Sequence, residues 1–306
     1  MDNSTSHMHK TARGWLKLSD EERIRRIQGY RWIGYDKAKE ILAKLNWLIN
    51  YPKNQRMPNL LIVGATNNGK TMILNKFKKQ YPDKDNLIGD AKIIPVIIVQ
   101  APPTADEGRF YSLILNKLNA PFKDNDKAGN KYLQVVGICE QIGLRMLIID
   151  EIHDIIAGSR ANQRVFRNAI KQLGNDLQIP IVGAGTREAY NAIRSDEQLA
   201  NRFEPIVLPR WAIDDNLPPD KDPYLKLLTT YERMLPLRHP SHLSNKTMAL
   251  KLLSMSDGVI GELSAVLTRA AEEAIRNKRE RIDDVTLNKI DWVSPPDRSS
   301  STNVVI

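Results

Sequence analysis

The feature that most constrains this chain is an eight-residue run, Gly64-Ala65-Thr66-Asn67-Asn68-Gly69-Lys70-Thr71. It follows the apolar Asn59-Leu60-Leu61-Ile62-Val63 and precedes a helical pattern that opens at Met72. The run is a full G-x-x-x-x-G-K-[ST] match, and its flanks supply the strand–loop–helix context such a loop needs. Glycines let the backbone curl so that successive N–H groups point at phosphate oxygens, and the start of the next helix adds positive potential. Residues 64–72 are therefore expected to hold ATP and Mg²⁺. Lys70 would reach the β- and γ-phosphates and the Thr71 hydroxyl would ligate the metal.

A second motif, Met146-Leu147-Ile148-Ile149-Asp150-Glu151, is an apolar run ending in two carboxylates. Asp150 is expected to hold the Mg²⁺ shell and Glu151 to orient and polarise an attacking water. A solvated strand end is the plain alternative for the pair. Further short apolar runs stand at Leu60–Val63, Val96–Val99, Ile179–Val182 and Ile206–Leu208. None alternates polar with apolar, which is how strands buried on both faces read, and helical stretches separate them. Pro58, Pro95, Pro180 and Pro205 stand at or near strand starts, where a missing donor is tolerated. The pattern predicts a parallel five-stranded sheet with helices on both faces, and the strand between the two motifs is the arrangement of AAA+ and related ATPases.

Around this core the chain reads as helical. Residues 1–18 are expected to be a loose tail, and 19–57 a helical segment opened by a Ser19/Glu22 capping box. The core spans 58–212. Beyond the Pro-rich stretch at 211–223, helices are expected near 224–235, 245–256, 259–280 and 284–293. They make up a small lid domain at 213–293, with a disordered tail at 294–306. No run approaches the roughly 18 apolar residues of a membrane span, and the polar start lacks the apolar centre of a signal peptide. A single cysteine, Cys139, excludes an internal disulfide framework and reads as a small buried hydrophobe. A cytoplasmic protein is expected. The formal net charge of +9 permits a polyanionic partner and fits a merely basic soluble protein equally well.

With these motifs placed, the stretch from about Tyr30 to Trp292 resembles the TniB family of transposition ATPases. It is also similar to the TnsC proteins of CRISPR-associated transposons and, more distantly, to MuB. The carriers are Arg31-Trp-Ile-Gly-Tyr35, the Gly64–Thr71 and Met146–His153 motifs, Gly183-Ala-Gly-Thr186, the run from Asp196 to Phe203, and the run from Asp257 to Leu263. The resemblance implies a three-layer P-loop fold of the AAA+ type. It also implies that Ile33 and Gly34 pack on the adenine, although Trp32, Ile33 and Tyr35 would equally seal the helical segment. Thr186 takes the place of a γ-phosphate sensor, and it also fits as a helix cap. Arg202 takes the place of an arginine finger acting on a neighbouring subunit, with Arg194 as rival. The chain departs from many AAA+ proteins in having no arginine in Gly258-Val-Ile-Gly261; Arg269 lies two turns further on.

The resemblance further implies subunits assembled as a ring or helical filament on double-stranded DNA, bound without base specificity. The partners would be a transposase and a TniQ-like target-selection protein, with no membrane, in the prokaryotic nucleoid. Thr104 and Arg109, in the loop after the second core strand, and Lys117, Lys123, Lys127 and Lys131 beyond it are the DNA candidates. A solvated polar loop is the alternative, with Asp106 and Glu107 weakening the case. The function implied is an ATP-dependent DNA-binding regulator that recruits and activates the transposase. A replication-initiation or secretion ATPase would share the core, whereas a polypeptide-threading machine would carry an aromatic-apolar-Gly triplet that residues 101–109 lack.

Overall fold

A computed structural model of the chain describes residues 6–86, 92–153 and 159–300, with side chains through 298. Residues 37–209 form an α/β unit, and the described residues up to 36 join those from 210 onward in a helical unit.

In the α/β unit α3 (Asp36–Ile49) leads into β1 (Asn59–Gly64), α4 (Lys70–Lys78), β2 (Val96–Gln100), α5 (Glu107–Lys117) and α6 (Ala128–Gln141). Then follow β3 (Met146–Asp150), α7 (Arg160–Leu177), β4 (Ile181–Gly185), α8 (Arg187–Arg194), α9 (Glu197–Ala200) and β5 (Phe203–Leu208). The strands pair in parallel in the order β2-β3-β4-β1-β5. Every residue of β1, β3 and β4 is buried, which is why those runs are apolar without alternation. Pro58, Pro95 and Pro180 each stand immediately before a strand. Pro205 lies inside β5, opposite Leu61, and is tolerated there because β5 is an edge strand. β4 starts two residues later than the apolar run suggests and continues through Gly183 and Gly185, whose register with Leu61 and Val63 holds them in the ladder. Phe110 of α5 and Phe166 of α7, both fully buried, meet edge to face with ring centroids 5.1 Å apart. Cys139 sits in the same apolar core, where burial pushes its thiol pKa up to about 12.

The helical unit takes α1 (Lys10–Trp15) and α2 (Asp20–Gln28) from the start of the chain. From the end it takes α10 (Pro223–Met234), α11 (Lys246–Ser256), α12 (Ile260–Arg276), α13 (Asp284–Lys289) and α14 (Pro295–Ser300). The Ser19/Glu22 capping box forms as expected. The domain boundaries expected at 18, 57 and 212 do not match this division. The 19–57 segment is split, α2 going to the helical unit and α3 to the α/β unit. Trp211 also belongs to the helical unit, edge to face with Tyr35 at 5.0 Å.

The expectation of loose tails is corrected for the residues described. Met8 is buried, the His9 N–H donates to the Arg233 carbonyl at 2.7 Å, and His7 Nε2 lies 3.1 Å from the Leu237 carbonyl. These contacts give α1 tertiary partners that a six-residue helix needs in order to persist. Residues 295–300 are helical; 1–5 and 301–306 lie outside the described residues. α2 is fastened by Arg23, 1% exposed, whose guanidinium donates to both Glu280 oxygens at 2.8 and 2.6 Å and to the Pro236 carbonyl. No described helix is long and apolar enough to cross a membrane.

The Arg23–Glu280 pair is buried, so removing one partner strands a charge away from water. Arg23→Ala is expected to cost about 3–5 kcal/mol of stability, measured as a fall in the urea midpoint of the transition reporting on the helical unit.

Candidate nucleotide site

All five strands are parallel, so the loops leaving their C-terminal ends gather at one edge of the sheet. The Gly64–Thr71 loop leaves β1 there, Glu151 leaves β3 and Thr186 leaves β4. Asn67 (φ 59°) and Gly69 (φ 87°) carry the left-handed backbone that turns the chain into α4. A side chain at Gly64 would place Cβ 3.0 Å from the Leu208 carbonyl oxygen. Asn68, 1% exposed, donates through Nδ2 to the Leu208 and Pro209 carbonyls at 3.0 and 2.9 Å. It thereby ties the loop to the end of β5. The motif expects Asn68, with the rest of residues 64–72, at the nucleotide; its side chain serves to brace the loop.

The residues fit a triphosphate and its metal. Gly69 supplies no side-chain cap to α4, so the first N–H groups of that helix are available to an anion. Lys70 is buried, its Nζ donating to the Gly64 and Ala65 carbonyls at 3.0 and 2.9 Å. Burial lowers its pKa from the ordinary lysine value, and the carboxylates of Glu151 and Asp150 oppose that shift. The Thr71 hydroxyl donates to Asp150 Oδ2 at 2.6 Å, and Asp150 Oδ1 accepts the Glu151 N–H at 2.9 Å. An oxygen pair of this kind, hydroxyl plus carboxylate, suits Mg²⁺.

Thr71 and Asp150 meet although β1 and β3 are not neighbours, because β4 lies between them. The chain beyond Glu151 packs onto β4 through fully buried Ile152. A Cβ on Gly183 would stand 2.9 Å from Ile152 Cδ1, and one on Gly185 would stand 2.8 Å from Ala189 Cβ and 3.1 Å from Ile152 Cγ2. These two glycines were missed as site residues. The signal was present in Ile181-Val-Gly-Ala-Gly185, a buried strand with unusually small side chains.

The other expected site residues fall as follows. The Thr186 hydroxyl contacts the Glu188 carboxylate instead of capping α8. Arg202 precedes β5, at the opposite end of the sheet from the Lys70 loop. Its Nη1 donates to Asn175 Oδ1 at 2.7 Å and its Nε is buried without a partner. Arg194 stacks over Tyr190, 5.5 Å from the ring centroid. Ile33 is buried in the core of the helical unit, and Gly34 beside it, in the same unit, is exposed. Arg269 is engaged within that unit by the Asp291 carbonyl and the Trp292 ring.

Thr104 is exposed in the loop after β2. Arg109 is not in that loop but in the first turn of α5, its N–H donating to the Asp106 cap at 2.9 Å. Lys117 closes α5, about 12 Å beyond Arg109 at 1.5 Å per residue, and exposed Lys123 lies beyond it. Lys117 is thus separated from Arg109, whereas exposed Lys127 adjoins Ala128, whose Cβ would lie 3.7 Å from a Cβ on Gly108 beside Arg109. Lys131 is corrected: it is buried, with Nζ on the Asp124 carbonyl at 2.9 Å, and is not available to a polyanion.

This sheet order, with the Lys70 loop after β1 and the paired acids after β3, defines a P-loop ATPase fold of the AAA+ type. Solved structures carry the same fold. The ORC2 protein of Aeropyrum pernix aligns over 87% of this chain and 70% of its own, at 14% identity and a TM-score of 0.57. The ORC1 protein of the same organism, solved in complex with DNA, aligns over 90% and 67%, at 15% identity and a TM-score of 0.57. Among curated proteins, the ClpL ATP-binding subunit of the ATP-dependent Clp protease from Lactococcus lactis subsp. lactis is 26% identical over 168 residues, 53% of this chain. That match spans only 20% of ClpL. A family model described as bacterial TniB protein matches residues 23–213. The chain belongs to the TniB family.

Gly185→Ala forces Ile152 or Ala189 to move and is expected to destabilise the α/β unit by about 1–3 kcal/mol. The shift in thermal midpoint measures it, and weakened ATP uptake in the folded fraction reports the displaced Asp150.

Proposed function

We propose that this protein is an ATP-dependent, DNA-binding regulator of transposition that assembles on target DNA and activates a transposase. The hydrolytic part of the reading is carried by the Thr71–Asp150 contact with Lys70 and Glu151 beside it. The role in transposition rests on membership of the TniB family.

Residues 64–72 bind the triphosphate, with backbone N–H groups and Lys70 on its phosphates. Thr71 and Asp150 hold Mg²⁺, which when bound neutralises charge on the phosphates. Glu151 orients the attacking water, and Thr186 senses the γ-phosphate. Arg202 cannot serve its own subunit's nucleotide. It stands before Phe203, which is opposite Asn59 at the far end of β1 from Gly64, and five steps along a strand span about 16 Å. Its position supports action on a neighbour's γ-phosphate, where a guanidinium stabilises developing charge. Hydrolysis then requires an oligomer, and nucleotide state switches assembly.

The exposed Thr104 and Arg109, together with the net charge of +9, support contact with DNA phosphates, which gives affinity without base specificity. The likeness of the fold to the ORC proteins supports a second reading, in replication initiation. Activation of a purified cognate transposase by the ATP- and DNA-bound protein is expected for the first reading. An ATP-dependent gel shift without any such activation favours the second.

Three variants test the site. Lys70→Ala is expected to abolish nucleotide-dependent assembly, followed by electron microscopy on duplex DNA. Glu151→Gln should bind ATP with near-native affinity in calorimetry while turnover falls about 100-fold or more. Arg202→Ala should be inactive alone and regain hydrolysis when mixed with Lys70→Ala subunits. An absence of rescue argues that Arg202 does not act across an interface.

A further inference from the structure

One more side chain reaches the acidic end of β3. His153 Nδ1 lies 3.1 Å from Glu151 Oε2. Its place is built from beneath. The chain leaves β3 through Glu151 in left-handed backbone (φ 53°), and Ile152 then drops into the space that Gly183 and Gly185 leave open on β4. A Cβ on Gly185 would come within 3.3 Å of the His153 backbone nitrogen, so this exit of the chain requires glycine there. Glu188 shares this neighbourhood. Its carboxylate is held below the usual range first by the Thr186 hydroxyl, and His153 contributes in the same direction.

We propose that His153 is a positioning residue for Glu151, holding its carboxylate toward the water it orients. The inference rests on the hydrolytic reading above. A glutamate side chain free to rotate spreads over several rotamers, and only some of them face a reacting water. The Glu151 carboxylate is about a third exposed, with side-chain relative accessibility 30%, so packing alone does not fix it. The His153 imidazole, within ion-pair distance of Oε2, is the side chain placed to do so.

The test uses the full chain on duplex DNA, with steady-state and single-turnover hydrolysis. His153→Ala is expected to lower kcat about 10-fold, the scale of a modest misplacement, while KM and calorimetric ATP affinity stay within about twofold. His153→Gln, which keeps an N–H donor, should recover part of that loss. In the Glu151→Gln background, adding His153→Ala should cost nothing further. Three results overturn the proposal: an unchanged kcat in His153→Ala, a loss of ATP affinity equal to the loss of rate, or a full 10-fold additional loss in the Glu151→Gln background. Absence of hydrolysis by the unmodified chain would instead remove the underlying reading, and this assignment with it. The two failures are therefore told apart by the control.

Discussion

The site depends on a gap in one strand. Thr71 follows β1 and Asp150 ends β3, yet β4 runs between them, two strand spacings or about 9.6 Å across. Bulky side chains on β4 would lift Ile152 and everything attached to it. Gly183 and Gly185 let it sit fully buried against the strand, which fixes the exit of the chain from β3. That exit sets Asp150 within 2.6 Å of the Thr71 hydroxyl and turns Glu151 out of the ladder. The conformational cost of glycine in a strand is offset by the placement of two acids.

The electrostatics follow from the same packing. A buried lysine beside two carboxylates is tolerable because each charge has partners. Lys70 has two loop carbonyls, and Asp150 has a hydroxyl and a backbone N–H. Burial works against the protonated lysine and the acids work for it. The loop is braced from outside as well, through Asn68 at the end of β5. The Gly64–Thr71 loop is thus braced at the end of β5, and Thr71 beyond it meets Asp150 at the end of β3.

Much of this was legible in the sequence, and what was not has physical causes. The loop, the acids and the strand order of burial announce themselves locally, because phosphate chemistry and double-sided burial restrict residue choice over short windows. The capping box at Ser19 did so too. Long-range partners do not: nothing near Met8 or His9 indicates that they pack against residues 233–237, so the start of the chain reads as loose. Lys131 looks like a surface cation until Phe122 and the Asp124 carbonyl are seen to enclose it. Arg109 reads as loop, whereas Asp106 caps α5 and starts the helix at Glu107. The 19–57 segment looks continuous, and only tertiary packing divides it.

The helical unit is assembled from both ends of the described chain, with the α/β unit contiguous between them. During synthesis residues 37–209 can complete their sheet as soon as they emerge. The α1–α2 segment, by contrast, must wait unpaired until Arg233, Pro236 and Glu280 have left the ribosome. At roughly 5–20 residues per second, Arg23 spends on the order of 10–50 seconds without its carboxylate partner. Translation therefore imposes a sequence on maturation: the sheet that bears the nucleotide loop forms first, and the helical unit closes last.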